Sequence, residues 1–205
     1  MSGMEMASYL MAVVYVISFL SMSAILARES GREIWLFDRG GESQRLPAAL
    51  FRLAFTGALF WPLCVAAFGR PWNADPLHAA LDGPWYDVLG HLLIVIGACL
   101  ALLSQRYMGA SWRIGAAQGD LGGLVERGPF AISRNPVFLG QAALFAGLFI
   151  VLPDIVQAGL TLVLLVAIGL QVRIEERVLA AGLGAPYLAY KARVRRWLGV
   201  RRSAP

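Results

Sequence analysis

Two short stretches of this chain hold most of the side chains able to do chemistry. The first is residues 121 to 140, LGGLVERGPFAISRNPVFLG, where charged and turn-forming residues sit directly before an apolar run. The second opens at Arg173, where Glu175 and Glu176 stand side by side between Arg173 and Arg177. A guanidinium offers a planar, bidentate fork for a carboxylate or phosphate, so Arg134 and Arg173 are each read as an anion anchor or as a residue snorkelling to the membrane surface. A carboxylate at a partly desolvated mouth suits a cationic group, and the same two readings, ligand partner or solvated surface charge, apply to Glu175 and Glu176. Neighbouring residues on a helix point about 100° apart, so at most one of the two acids faces an interior. Pro136 pushes Asn135 toward extended geometry and tolerates a missing N–H, so a helix is expected to begin near Pro136 with its free N–H groups directed at Arg134 and Asn135.

Other candidates are thinner. His91 follows Asp87 by four residues and could bond it on one helix face, but with His78 as the other histidine no metal centre is expected. Gly115, Gly119, Gly122 and Gly123 follow no strand and make no dinucleotide fingerprint. Gln141 reads either as a helix-packing polar group or as a pocket residue.

The elements that must hold these residues are membrane helices. The chain has 205 residues, 58% hydrophobic and 15% charged, far from the roughly 25% charge of soluble domains. Apolar runs over Met6 to Ala27, Pro47 to Phe68, Trp85 to Leu103, Pro136 to Leu152 and Ile155 to Val172 are expected to cross or nearly cross a core about 30 Å thick. The last two are parted only by Pro153 and Asp154, which predicts a helical hairpin. Beyond it, residues 173 to 181 are expected to form one amphipathic helix, and a second past a Gly-Pro break carries Tyr187, Tyr190 and Trp197. The fold class is therefore an all-α integral membrane bundle of about five transmembrane helices with a C-terminal hairpin and amphipathic tail. It forms one domain over 1–205, with three helices in 1–104 and the site-bearing region in 105–205.

The net charge of +5 comes without a basic stripe interleaved with aromatics, which argues against nucleic acid. Cys64 and Cys99 lie within apolar runs and are read as small buried hydrophobes. No Lys or Arg precedes Arg28, so the first run is expected to remain as a helix. Basic residues alternate from loop to loop, few before the first helix and in the second loop, many in the first and third loops and the tail. That pattern places the N-terminus outside and the tail in the cytoplasm of a multi-pass protein, expected in a bacterial inner membrane, with both site stretches on one face.

The order GPF, RNPVFLG, hairpin, EERVL, LGAPYLAYKARV resembles the isoprenylcysteine carboxyl methyltransferase and phospholipid methyltransferase superfamily over about Arg106 to Trp197. The resemblance implies an S-adenosylmethionine-dependent membrane enzyme. It matches Leu124 and Val125 to residues whose backbone meets the cofactor, Phe130 to a position beside the adenosyl group, and Arg134, Asn135, Pro136 and Phe138 to the element lining the pocket. Glu175 and Glu176 match an acidic pair of which one holds the cofactor, with Glu176 favoured because it lies eight residues before Gly184. Tyr187 and Tyr190 match the closing tail. Asn135 stands where a histidine is common, and Phe130 and Phe138 lack the family's hydroxyls. The expected acceptor is lipophilic, foremost an isoprenylcysteine-like carboxylate, with Arg134, Arg173 and Glu175 as catalytic residues. A phospholipid amine, a small thiol, or a non-catalytic membrane subunit are the alternatives.

Overall fold

With no water in a bilayer core, a chain satisfies its backbone polar groups there by turning the apolar runs into helices. The computed structural model describes residues 2–37, 41–69, 76–81, 83–117 and 121–200. Arg39, Arg70, the turn residues Pro71, Asn73 and Asp75, Gly119 and the tail's Arg201 and Arg202 lie outside the described residues. The helices are α1 (Gly3–Ser30), α2 (Arg45–Phe68), the short α3 (Pro76–Ala80), α4 (Pro84–Met108), α5 (Pro136–Val151), α6 (Ile155–Leu183) and α7 (Ala185–Arg193). No strand occurs among the described residues.

Four of these, the helices of α1, α2, α4 and α6, are long and apolar enough to cross a membrane. The fifth expected span, α5, has 16 residues, about 24 Å at 1.5 Å per residue, and most of its residues are buried. It is a central post of the bundle rather than a lipid-facing wall.

The bundle is apolar outside and partly polar inside. Val14, Phe60, Ile96 and Leu162 are about 60% exposed, as lipid-facing side chains are. Cys64 and Cys99 also face outward, contrary to the expectation of burial. Inside, Ser23 accepts from Gln105 Nε2 at 2.7 Å and from Trp112 Nε1 at 3.1 Å, which ties α1 to α4. Tyr15 of α1 accepts from Gln141 of α5 at 3.1 Å.

The tightest contact joins α4 and α5. Gly90 and Gly97 on one helix meet Gly147 and Gly140 on the other. A Cβ at Gly140 would lie 2.5 Å from the Gly97 carbonyl oxygen, and one at Gly147 2.5 Å from that of Gly90. Small residues at such a seam let backbones approach closely where no hydrophobic force drives helices together.

The hairpin turn is as short as the sequence implies. Asp154 caps α6 by accepting from Gln157 N at 2.8 Å and also accepts from Trp61 of α2 at 2.8 Å. Past the turn the sequence expectation needs correcting. The segments 155 to 172 and 173 to 181, read apart in the sequence, form one helix that runs on to Leu183, so that the amphipathic piece extends a membrane helix. The chain then turns at Gly184, whose φ of 58° favours glycine. The tail helix α7 ends at Arg193, and Trp197 lies in a bend beyond it rather than on the helix.

Three segments meet at one end of the bundle. Residues 34 to 36 pair with Ile114 through Leu36 N to Ile114 O at 2.8 Å and Ile114 N to Ile34 O at 2.7 Å. Ile34 and Leu36 are buried while Trp35 is 52% exposed, the alternation of an extended segment rather than of an interfacial helix. The tail joins the same end through Arg134 N to Arg195 O at 3.1 Å and Gly199 N to Ile132 O at 2.7 Å.

Candidate functional site

Pro136 is the first residue of α5, as expected, and Asn135 before it has φ −134°. The turn Gly128–Ala131 and residues 132 to 135 are held from beneath by the tail. Tyr190 Oη donates to the Phe130 carbonyl at 2.7 Å, and Asn135 Nδ2 donates to the Arg196 carbonyl at 3.1 Å. Tyr187 and Tyr190 are both buried, with Leu124 packed on them. Burial pushes the Tyr187 phenol up to about 12, with Glu176 adding to the shift.

A cavity of about 520 Å³ opens above this latch, within the size range of small-molecule sites. Phe130, Arg134, Asn135, Pro136, Phe138 and Glu175 of the sequence candidates line it. Leu124, Val125, Arg173 and Glu176 do not. Arg173 is exposed on the outer face of α6, so it is not among the residues gathered at the cavity.

The two acids separate as helix geometry requires. Gln171, Glu175 and Leu179 are one turn apart and line the cavity together. Glu176 points instead to the tail. Its carboxylate accepts from Arg134 Nη2 at 2.8 Å and from Arg196 Nε and Nη2 at 2.9 and 2.8 Å, with Lys191 at 3.9 Å. The Arg134 and Glu176 side chains are only 4% and 6% exposed. The bond to Glu176 also raises the Arg196 guanidinium above its ordinary value. Glu176 is thus the counter-charge that seats Arg134 and closes the tail, whereas the expectation favoured it as the cofactor's partner.

Glu175 faces the cavity, with Arg113 as its neighbour of opposite charge among the described residues. Burial lowers the Arg113 guanidinium from its ordinary value, and the charge of Glu175 opposes that shift. Arg113 is fixed by donating to the carbonyls of Ser111 at 3.1 Å and Leu121 at 2.7 Å. Gln171 Nε2 donates to Glu175 at 3.0 Å and to Gln44 Oε1 at 3.2 Å. Gln44, fully buried just before α2, also accepts from Ala116 N at 2.9 Å and donates to the Ala116 carbonyl, so the start of α2 holds the 112 to 117 loop against α6.

Several polar atoms on this wall are buried without a partner among the described residues. They are Arg134 Nε and Nη1, Arg113 Nε, Gln171 Oε1 and Gln141 Oε1. Such atoms are costly unless a ligand or solvent meets them. Aromatic faces complete the polar end, with Phe51 and Phe138 stacked at 5.8 Å and 26°. Away from it, the cavity continues as an apolar arm between α1 and α2, past Val16, Phe19, Leu20, Phe55 and Leu59. Leu20 is 46% exposed, so the arm reaches the lipid-facing surface there.

The model of the phospholipid methyltransferase family matches residues 85–185, from the first turn of α4 to the start of α7. Over those residues the chain is similar to the phospholipid methyltransferase family. No curated protein and no solved structure matches it. The match takes in α4, α5 and α6, and so Arg113, Arg134, Gln171 and both acids. It leaves out α1 and α2, which build the apolar arm, and the tail that closes on Glu176.

Arg113, Gln171 and Gln44 had no role in the sequence reading. Gln171 did leave a signal, a polar residue four positions before Glu175 at the end of an apolar run, hence on the same helix face. Gln44 left none, because its importance lies in contacts 72 and 127 residues away.

Proposed function

We propose that this chain is a member of the membrane methyltransferase superfamily, an S-adenosylmethionine-dependent methyltransferase acting on a lipophilic acceptor drawn from the membrane, foremost an isoprenylcysteine-like carboxylate. The observation that carries the reading is a single cavity with two unlike ends, one with unpartnered donors and a carboxylate, the other apolar and open to lipid.

The donor set at the polar end fits a zwitterionic, aromatic cofactor. Arg134, through Nε and Nη1, and Arg113 suit its carboxylate. Glu175 and the Gln171 amide oxygen suit its ammonium, and Phe130, Phe51 and Phe138 offer faces for its base. When bound, S-adenosylmethionine supplies a methyl group activated by a positive sulfonium.

The work of the protein is then mainly positioning. Gln44 and Gln171 hold Glu175, the tail and Glu176 hold Arg134, and both arrangements set fixed charges around a site from which the tail and loop exclude water. A carboxylate acceptor has no proton to lose. Its charge falls as a methyl is transferred to it, which a dry, apolar cavity favours over water.

A phospholipid amine is the second reading, favoured by Glu175. It is the sole carboxylate lining the cavity among the described residues and stands where it could accept a proton from an amine.

The test is calorimetric titration of the purified chain with S-adenosylmethionine, followed by transfer of labelled methyl to a farnesylcysteine analogue, an ethanolamine lipid and small thiols in parallel. Saturable cofactor binding with methylation of a lipophilic acceptor is expected. Absence of saturable binding, or methylation of soluble thiols alone, would overturn the proposal.

A further inference from the structure

A second, smaller cavity of about 330 Å³ lies beside the first, lined by Phe37, Gly41, Glu42, Arg45, Ala48 and Arg52. Phe37, Ala48 and Arg52 also line the main cavity, so the two spaces share a wall at Arg52. This wall belongs to α2 and the loop before it, outside the region matched to the family.

The arginines of the main cavity differ in how they are committed. Arg134 is bound to Glu176, and Arg113 donates to two carbonyls and sits in the field of Glu175. No hydrogen bond or ion pair to Arg52 occurs among the described residues. Its neighbour Arg45 meets Glu42 at 3.4 Å with side chains 78% and 89% exposed, a pair too solvated to hold it firmly.

Arg52 stands seven residues into α2, about 10 Å along the helix, at the end of the bundle where the loops and tail gather. Phe51 packs on Phe37 and Phe138 at 6.4 and 5.8 Å, so aromatic rings stand beside the shared wall on the side of the main cavity. From there the apolar arm runs along the same helix past Phe55 and Leu59 toward lipid. A molecule entering by that arm would bring its polar end to Arg52 before reaching Glu175.

We infer that Arg52, supported by Arg45, binds the anionic head group of a long-chain membrane amphiphile whose apolar chain lies in the arm between α1 and α2. The guanidinium fork suits a carboxylate and a phosphate alike, and both are groups found at membrane surfaces. The inference rests on the proposed methyltransferase reading for its account of why the amphiphile enters. It adds a site for the part of the acceptor that anchors it.

Trp35 and Trp112 line the main cavity and can report on occupancy. The experiment measures quenching of tryptophan fluorescence in the full-length chain, in neutral detergent, by three chain-brominated probes. They are a fatty acid, a lysophosphatidic acid and a long-chain alcohol. At least one anionic probe should bind about tenfold more tightly than the alcohol, and the arm that does so distinguishes carboxylate from phosphate. Arg52→Gln should erase that preference and Arg52→Lys should restore part of it, while S-adenosylmethionine affinity stays within about twofold in both variants.

Equal binding of all three probes by the wild-type chain, or a preference that survives Arg52→Gln, overturns the inference. Anionic preference lost in Arg52→Gln by a chain that does not bind S-adenosylmethionine supports the site and refutes the cofactor reading instead.

Discussion

At the scale of single residues, the separation of Glu175 from Glu176 organises the site. Both are acids on one helix, yet one is saturated by two guanidinium groups while the other faces the cavity beside Gln171. Glu176→Gln should therefore be a stability mutation. It leaves the Arg134 side chain, 4% exposed, without its counter-charge, a loss on the order of 3–5 kcal/mol for a buried pair and less to the extent that solvent reaches Arg196. Glu175→Gln should instead leave the thermal midpoint nearly unchanged and weaken S-adenosylmethionine binding by more than about tenfold, roughly 1.4 kcal/mol. Thermal unfolding and calorimetric titration of the two variants check both halves. A Glu176→Gln protein that melts normally but binds cofactor poorly would reverse the assignment.

At the scale of elements, the α4 and α5 pair is the frame on which the Arg134 and Asn135 loop is mounted, and its glycine seam sets the distance between them. A Cβ at Gly97 would meet the Gly140 carbonyl oxygen and lie 2.6 Å from the Leu144 nitrogen, both backbone atoms that cannot rotate away. Gly97→Ala is expected to cost about 1–3 kcal/mol as an overpacked contact, read as a lowered midpoint in detergent. Gly159→Ala on α6, where a Cβ meets nothing within 4 Å, serves as the control and should be neutral or slightly stabilising. Equal loss in both variants would mean that the seam is not the critical contact.

At the scale of the whole molecule, loop one, the 112 to 117 loop and the tail sit at one end of the bundle, and the hairpin turn at Asp154 at the other. From the arginine alternation we propose that the first end faces the cytoplasm. Asp154 itself is buried, so single cysteines at Ser43, Leu198 and Ile155 are better probes, in a chain with Cys64 and Cys99 replaced by alanine. Ser43→Cys and Leu198→Cys should react with membrane-impermeant reagents from the cytoplasmic side and Ile155→Cys from the other. Modification of Leu198→Cys and Ile155→Cys from one side would remove the hairpin topology.

What the sequence determined by itself were features set by local chemistry. Apolar length specified the membrane helices, Pro136 the start of α5, Pro153 and Asp154 the hairpin, and the order of short polar motifs the likeness to the methyltransferase family. These are readable because each depends on residues within a turn or two of one another. What Arg134 binds, and what holds the 130 to 135 loop, depended on α6 and the returning tail meeting that loop, contacts between residues 42 to 63 positions apart. The same holds for Arg113, Gln44 and the first two helices. They join the site only because α2 packs on α6 and the extended 34 to 36 segment pairs with Ile114. Long-range packing decided those roles, and it leaves no mark on the spacing of residues along the chain.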